Sequence, residues 1–335
     1  MADAPRGDRG SLKRLLSYLL TTRGLLALGI VVAACWTSQR YSAHHEGKSV
    51  FETLYMHVVP APLVEPAHGE SGEHAQPSAL REIPLPGFLA AFDWRGPGHA
   101  EAPTTVLYNL QIFQVAAVLL VLLAFSGVPR HLRTGKGDPL SKLCAGFAHW
   151  VRDEMVFPQM GKELGRKFLP YFLSVFFFIL FMNLMGLVPF SATATASIFV
   201  TGALALTTFA AMIVCGMVAQ GPIAFWKHLV PHVPLALWPL MFVVELIGLL
   251  VKPFALTIRL FANMSGGHMV VLSFMGLIFF MASAWGSAGG WGAAPIGVGF
   301  AVFIMIIESF VALLQAFIFT QLSIIFVNSS VHPEH

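Results

Sequence analysis

The residues from 168 to 327 constrain the fold most, because this stretch of 160 carries only five charged side chains. The whole chain of 335 residues has 20 Lys and Arg and 17 Asp and Glu residues, so 11% of it is charged. A soluble domain has about 25% charged residues, and a membrane helix needs about 20 mostly apolar residues in a row. The sequence therefore predicts an all-α integral membrane protein. It excludes an ordinary soluble enzyme, and a net charge of +3 gives no indication of nucleic-acid binding.

Apolar segments predict about five spanning helices, at residues 105–127, 168–189, 194–219, 236–285 and 298–327. The last two are long and are expected to be tilted. At about 1.5 Å per residue, the segment 236–285 is far longer than a hydrocarbon core of about 30 Å. It must therefore tilt steeply, bend or double back. The Gly-rich residues that precede the last span, 283–297, predict an uncharged turn.

Residues 1–35 are typical of a targeting segment, with a basic start and an apolar core at 24–34. They predict either a cleaved signal peptide or an uncleaved signal anchor. Cys35 follows Val-Ala-Ala, which resembles a bacterial lipoprotein cleavage box, so lipidation of Cys35 is a third alternative. Residues 36–104 are polar and rich in Pro, Gly and His, which predicts a solvated extracytoplasmic segment.

The balance of charge predicts the orientation in the membrane. Residues 128–167 carry eight basic and four acidic side chains, whereas 36–104 carry four basic and eight acidic ones. Because Lys and Arg are enriched in cytoplasmic loops, 128–167 is predicted to be cytoplasmic, with an amphipathic helix that begins at Asp138-Pro139. Five spans then place the mature N-terminus outside and the C-terminus in the cytoplasm. The signal-like start favours the bacterial plasma (inner) membrane for this multi-pass protein.

Three of the five charges in the apolar stretch lie in one predicted helix. Glu245, Lys252 and Arg259 are spaced by seven residues, which places them along one face over about 21 Å. A charge at the centre of a membrane helix costs at least about 2.5–3.5 kcal/mol. Glu245 and Lys252 have an ordinary alternative, since side chains near the cytoplasmic end of a long helix can snorkel to the headgroups. Arg259 has no acid within one turn, so its partner must come from another helix or another chain.

The same two helices carry further polar groups. Asn263 lies four residues after Arg259 on the same face, and His268 lies nine residues after it, about 13.5 Å away along the axis on the opposite face. In the last span, Glu308 and Gln315 are again seven residues apart. A switchable His and a buried Glu are typical of a proton relay, whereas Arg stays charged and forms a fixed barrier. The pattern predicts two aqueous paths with a guanidinium between them.

Three segments carry a resemblance to subunit a of F-type ATP synthases, which covers about residues 105–328. Residues 254–268 (FALTIRLFANMSGGH) resemble the signature helix of that family. Residues 181–189 (FMNLMGLVP) resemble the end of an earlier helix, and 308–319 (ESFVALLQAFIF) resemble the last helix. One departure is Gly186, where some members have Asp.

The resemblance implies a role for each polar residue. Arg259 matches the essential arginine that keeps a passing carboxylate ionised and blocks a direct leak. His268 and Glu308 match the polar pair of the outer half-channel, in the swapped order relative to some members. The residues that match further polar positions along the two paths are Asn263, Gln315, Glu245 and Asn183, the last of these in the outer path.

The resemblance also implies the partners. The chain would face a ring of c subunits, each bringing one carboxylate, and would assemble with peripheral-stalk b subunits and the rest of the F1F0 ATP synthase in membrane lipid. It implies no catalytic site in this chain, no cofactor, no metal and no nucleic acid. A ring-independent ion channel or a secondary transporter is the alternative. The latter would show an internal repeat with broken helices in both halves, whereas the polar residues here are concentrated in the last two helices.

Overall fold

The computed structural model describes residues 21–41, 108–134, 138–188, 191–228, 234 and 237–332. These residues form helices and contain no strand. In chain order the α-helices are α1 (Thr22–Tyr41), α2 (Asn109–Ser126), α3 (Val128–Thr134), α4 (Pro139–Trp150), α5 (Phe157–Gly186), α6 (Ile198–Gln220), α7 (Pro222–His228) and α8 (Trp238–Val331). A π-helical turn (Val151–Val156) joins α4 to α5, and a 3₁₀ turn (Ala194–Ala196) precedes α6. Most of the predicted polar segment 36–104, and the basic start before residue 21, lie outside the described residues.

The prediction of an all-α membrane protein is confirmed. Within the described ranges, four helical stretches are long and apolar enough to cross a membrane: Asn109–Arg133, Pro139–Gly186, Ile198–Gln220 and Trp238–Val331. The last of them is bent at Trp285 and Gly286, where Gly286 has a φ of +70° that favours glycine. The bend divides α8 into a first arm, 238–284, and a second arm, 287–331. Counting the arms separately gives the five spans that the sequence predicts.

The two arms of α8 pack against each other as an antiparallel hairpin. Near the bend, the rings of Phe274 and Phe300 stack with their centroids 5.0 Å apart. Farther away, Asn263 is hydrogen-bonded to Gln315. Farther still, the Lys252 ammonium lies 5.4 Å from the centre of the Phe326 ring. This register decides which side chains of the first arm face the second.

The predicted turn at 283–297 is wrong except at Trp285 and Gly286, because the rest of the segment is helical. Three of its glycines, Gly289, Gly290 and Gly297, allow close packing between the arms instead. A Cβ atom at Gly297 would lie 2.8 Å from the Ile278 side chain and 3.0 Å from the Phe274 carbonyl oxygen. Small residues let membrane helices approach closely. A Gly-rich sequence is therefore compatible with close helix packing as well as with a turn.

Helices α5 and α6 enclose the hairpin on one side. Phe172 and Phe176 of α5 are fully buried in one core with Leu260 of the first arm and Phe319 of the second. Aromatic side chains of this size contribute much of the packing in a core, since each covers a large area. The prediction that a helix begins at Asp138-Pro139 is confirmed, because Asp138 is the N-cap residue of α4.

Helix α1, which lies mostly in the predicted targeting segment, packs against α2. Ala34 of α1 is buried in a cluster with Phe113 of α2. At the other end of α1, Arg23 donates a 2.7 Å hydrogen bond to the Ser141 hydroxyl and lies 3.3 Å from the Asp138 carboxylate. The helix is therefore attached at both ends to the rest of the described structure.

Candidate functional site

A small, partly open cavity lies between α5 and the two arms of α8. Four of the seven residues that the sequence singles out line it, and we call this group the polar cavity: Asn183, Asn263, Glu308 and Gln315. The rest of its lining is apolar, and includes Leu260 and Met264. The packing of α5 against the two arms thus brings together side chains that lie up to 132 positions apart in the sequence.

Two hydrogen bonds tie the polar cavity together. The Asn263 amide nitrogen donates to the Gln315 side-chain oxygen at 2.7 Å, which joins the two arms. The Asn183 amide nitrogen donates to the Ala312 backbone oxygen at 3.4 Å, which joins α5 to the second arm. Heptad spacing placed Gln315 on the face of Glu308, and these contacts show that the shared face is turned toward α5 and the first arm.

Three polar atoms of these residues are buried without a hydrogen-bond partner among the described residues: Asn183 Oδ1, Glu308 Oε1 and Gln315 Nε2. An unpaired buried polar group costs about 1–3 kcal/mol, so proteins rarely keep several together without a use. A polar cavity is the kind of site that holds ordered water. These atoms are therefore free to form hydrogen bonds with water that enters the cavity.

Glu308 is 7% exposed and lies against Gly267 of the first arm. A Cβ atom at Gly267 would overlap the Glu308 carboxylate. Gly267 therefore provides the space in which the acid sits. The sequence alone does not single out Gly267, because the role of this glycine depends on which residue of the opposite helix lies across from it.

His268 lies next to a hydroxyl that the sequence analysis also missed. The His268 Nε2 atom is 2.7 Å from the Thr193 Oγ1 atom. Thr193 lies just before the 3₁₀ turn that leads into α6, and it is 5% exposed. The only sequence signal is a run of Ser and Thr at 191–197 between two apolar helices, and such a run is also typical of an ordinary loop.

Arg259 is exposed on the first arm, and it has no ion pair or hydrogen bond with any residue in the described part of the chain. Three small residues are exposed with it on the same side of the helix, and we call this set the Arg259 face: Ala255, Arg259, Ala262 and Gly266. Phe254 beside it is 65% exposed. No described helix of this chain covers the guanidinium.

Lys252 and Glu245 lie farther along the first arm. Lys252 contacts the Phe326 ring of the second arm, so its charge has a partner within the chain. Glu245 is partly buried, does not line the polar cavity, and has no ion pair among the residues that the structure describes. It lies 14 residues before Arg259, about 21 Å along the helix. The structure thus separates Glu245 from the polar cavity, and Arg259 lies between Glu245 and Asn263 along the first arm.

Comparison with known proteins bears on the whole of this membrane region. The profile of the family "ATP synthase A chain" matches residues 111–328, a range that includes all seven predicted site residues. The chain belongs to this family. The matched range also corresponds closely to the region 105–328 over which the sequence resembles subunit a.

Several curated relatives are named ATP synthase subunit a. The chain is 47% identical to the Myxococcus xanthus protein over 186 residues, which is 56% of this chain and 59% of the relative. It is 32% identical to subunit a 2 of Chlorobaculum tepidum over 326 residues, which is 91% of this chain and 90% of the relative. Subunit a 2 of Chlorobium luteolum is 36% identical over 280 residues, or 80% of both chains. The match thus spans less than two thirds of the length of some relatives and nearly the whole of others.

Proposed function

We propose that this chain is the membrane stator of a rotary F-type ATP synthase. It carries protons to and from the carboxylates of a c-subunit ring through two half-channels, with Arg259 between them. The observation that carries the proposal is the exposed Arg259, which has no partner among the described residues of its own chain. Because an unpaired charge within a membrane is costly, the partner that neutralises it belongs to another chain.

The residues around Arg259 support a helix as that partner. Ala255, Ala262 and Gly266 carry little or no side chain, and a Cβ atom at Gly266 would meet nothing within 4 Å. Small residues allow another membrane helix to approach closely. A ring helix that carries one carboxylate fits this face in both shape and charge. The peripheral-stalk b subunits and the rest of the F1F0 complex are the further partners in this proposal.

The proposed mechanism depends on the charge of Arg259. A carboxyl group in contact with lipid stays protonated, because low dielectric disfavours its charged form. Beside the guanidinium the same group ionises, and the arginine itself cannot accept or release the proton. The ring therefore turns by exchanging a neutral acid in lipid for a paired anion at Arg259. The membrane potential contributes about 2.3 kcal/mol per charge per 100 mV.

The positions of the other residues support two separate paths. The outer half-channel comprises His268, Glu308, Asn183, Asn263 and Gln315, four of which line the polar cavity. The inner path includes Glu245 on the other side of Arg259. The chain itself has no catalytic role in this proposal, since it couples ion flow to rotation and ATP is made elsewhere in the complex.

The orientation is proposed from the charge balance. The basic segment 128–167 and the C-terminus lie in the cytoplasm, and the protein lies in the bacterial inner membrane. Arg23 of α1 contacts Asp138 and Ser141 of this segment. That contact supports the uncleaved anchor among the alternatives for residues 1–35. Cleavage that removes residues 1–35 would instead leave the mature N-terminus outside.

The test replaces Arg259 in the assembled complex. In inverted membrane vesicles, we expect Arg259→Ala to abolish ATP-driven acidification while the complex still assembles. Arg259→Lys retains a charge but loses the planar guanidinium, so it should also pump poorly. Assembly is checked by the amount of the c-subunit ring that co-purifies. Acidification near the wild-type rate in Arg259→Ala would overturn the proposed role of Arg259.

The same preparation separates the stator from a ring-independent channel. A stator co-purifies with a c-subunit ring, and without that ring the chain alone in liposomes conducts few protons. A channel conducts without the ring, and its conductance follows the imposed voltage. Rapid proton flux through the purified chain alone would favour the channel.

A further inference from the structure

We propose that Thr193 is a positioning residue for His268. Its hydroxyl holds the His268 imidazole with the Nε2 atom protonated and the Nδ1 atom free to accept a proton. This inference rests on the proposed function of His268 in the outer half-channel. The residue lies outside the three segments that carry the resemblance to subunit a, and it is assigned from its contacts.

The second hydrogen bond of Thr193 favours one direction for its contact with His268. The Thr193 hydroxyl is 2.7 Å from His268 Nε2, and it also donates a long hydrogen bond of 3.5 Å to the Gly186 backbone oxygen. A hydroxyl has one proton to donate but two lone pairs to accept with. When its proton points to the Gly186 carbonyl, it can only accept from His268. The Nε2 atom then carries the hydrogen, and Nδ1 keeps its lone pair.

The space for this arrangement comes from Gly186. A Cβ atom at that position would lie 2.7 Å from the Met264 side chain and 2.8 Å from the Thr193 methyl group. A residue with a side chain at 186 would therefore displace Thr193 from His268. Since Gly186 has no side chain that could reach the imidazole, the polar group at this point is the Thr193 hydroxyl.

The position of His268 indicates what its contact with Thr193 does. His268 follows Gly267, whose missing side chain leaves room for the Glu308 carboxylate. His268 thus follows in the chain the residue that Glu308 lies against, and Thr193 belongs to a different element. A histidine that relays protons needs one nitrogen ready to accept, and a hydrogen bond to the other nitrogen fixes which one that is.

The experiment compares two buried threonines in the assembled complex in inverted vesicles. Thr193→Val keeps the shape of the side chain and removes the hydroxyl that contacts His268. Thr201→Val is the matched control, because the Thr201 hydroxyl is equally buried and bonds to the Ser197 backbone oxygen of its own helix. We expect Thr193→Val to lower ATP-driven acidification at least fivefold at equal assembly, and Thr201→Val to lower it less than twofold. Thr193→Ser restores the hydroxyl and should recover at least half of the rate.

The background of His268→Ala separates positioning from packing. If Thr193 acts through the imidazole, adding Thr193→Val to His268→Ala changes the residual rate by less than twofold. A further large loss in the double variant, or equal rates for Thr193→Val and Thr201→Val, would overturn the inference. Failure of both Thr193→Val and Thr193→Ala to assemble, while Thr201→Val assembles, would make the hydroxyl structural and would also overturn it.

The outcomes for the two proposals are distinguishable. If His268→Ala pumps at the wild-type rate, the proposed outer half-channel is wrong, and with it the use of this contact. If His268→Ala pumps poorly but Thr193→Val behaves as Thr201→Val does, only the role of Thr193 is wrong.

Discussion

The polar cavity and the Arg259 face both include residues of the first arm of α8, but they differ in how their polar groups are partnered. In the cavity, Glu308 and Gln315 of the second arm are buried against α5 and the first arm. On the Arg259 face, the guanidinium is exposed, and no residue in the described part of the chain pairs with it. The cavity is a site that this chain forms by itself, whereas the Arg259 face is completed only by another molecule.

Substitutions in the two regions are therefore expected to have different effects. Substitutions in the polar cavity should change the stability of the chain as well as ion flow, because their partners are internal. Substitutions on the Arg259 face should change coupling with little effect on the fold of the chain, because no internal contact is lost. Each prediction below either tests or refines that contrast.

Among substitutions that change the internal packing of the chain, the largest effect is expected for Gly267→Ala. The added methyl group would overlap the Glu308 carboxylate, so the acid or the helix must move. Overpacking of this kind costs about 1–3 kcal/mol in a well-packed interior. We expect ATP-driven acidification to fall more than tenfold and the apparent melting temperature of the purified chain to fall with it.

The matched control for Gly267→Ala is Gly299→Ala in the second arm. A Cβ atom at Gly299 meets nothing within 4 Å, and both substitutions add one methyl group to a helix of the same hairpin. The control should pump and melt as the wild type does. Normal pumping by Gly267→Ala would mean that the space around Glu308 is not needed, and would contradict the contrast.

The sequence predicts most of this architecture from its charges and their spacing. The heptad spacing of Glu308 and Gln315 correctly predicts a shared polar face, since a helix repeats its orientation nearly every seven residues. The absence of an acid near Arg259 correctly indicates that no partner lies in its own helix. The structure extends that exclusion to every described residue of the chain.

Two parts of the site could not be predicted, for one physical reason. The roles of Gly267 and Thr193 follow from which residues face each other across separate elements, and that register depends on packing over the whole hairpin. The turn predicted over the Gly-rich segment 283–297 is too long for the same reason, since only Trp285 and Gly286 are non-helical. A glycine that permits a turn and a glycine that permits close helix packing have the same sequence signature.

A smaller effect is expected at the hydrogen bond between Asn263 and Gln315. A double-mutant cycle with Asn263→Ala and Gln315→Ala measures how strongly the two side chains depend on each other. Hydrogen bonds between membrane helices average about 0.6 kcal/mol and reach about 1.7 kcal/mol. We expect a coupling energy in that range in the free energy of unfolding of the full chain.

Arg259→Ala provides the comparison for this cycle. The substitution removes no internal hydrogen bond, so the free energy of unfolding of the chain alone should change by less than about 0.5 kcal/mol. A large loss of stability in Arg259→Ala would show that the guanidinium has an internal partner. A coupling energy of zero between Asn263 and Gln315 would show that the cavity is not held together by this contact.

The smallest effect is expected for Lys252→Leu, which removes a positive charge seven residues before Arg259 on the same arm. The Lys252 ammonium lies over the Phe326 ring, and a cation–π contact at a partly exposed site contributes about 0.5–1 kcal/mol. Leucine keeps the apolar packing, so the free energy of unfolding should fall by no more than that amount. Pumping should stay within twofold of the wild type, because the charge is paired within the chain. Lys252→Leu could instead abolish pumping, as Arg259→Ala is expected to. In that case the presence of a partner within the chain would not distinguish a structural charge from a coupling charge, and the contrast between the two regions would be wrong.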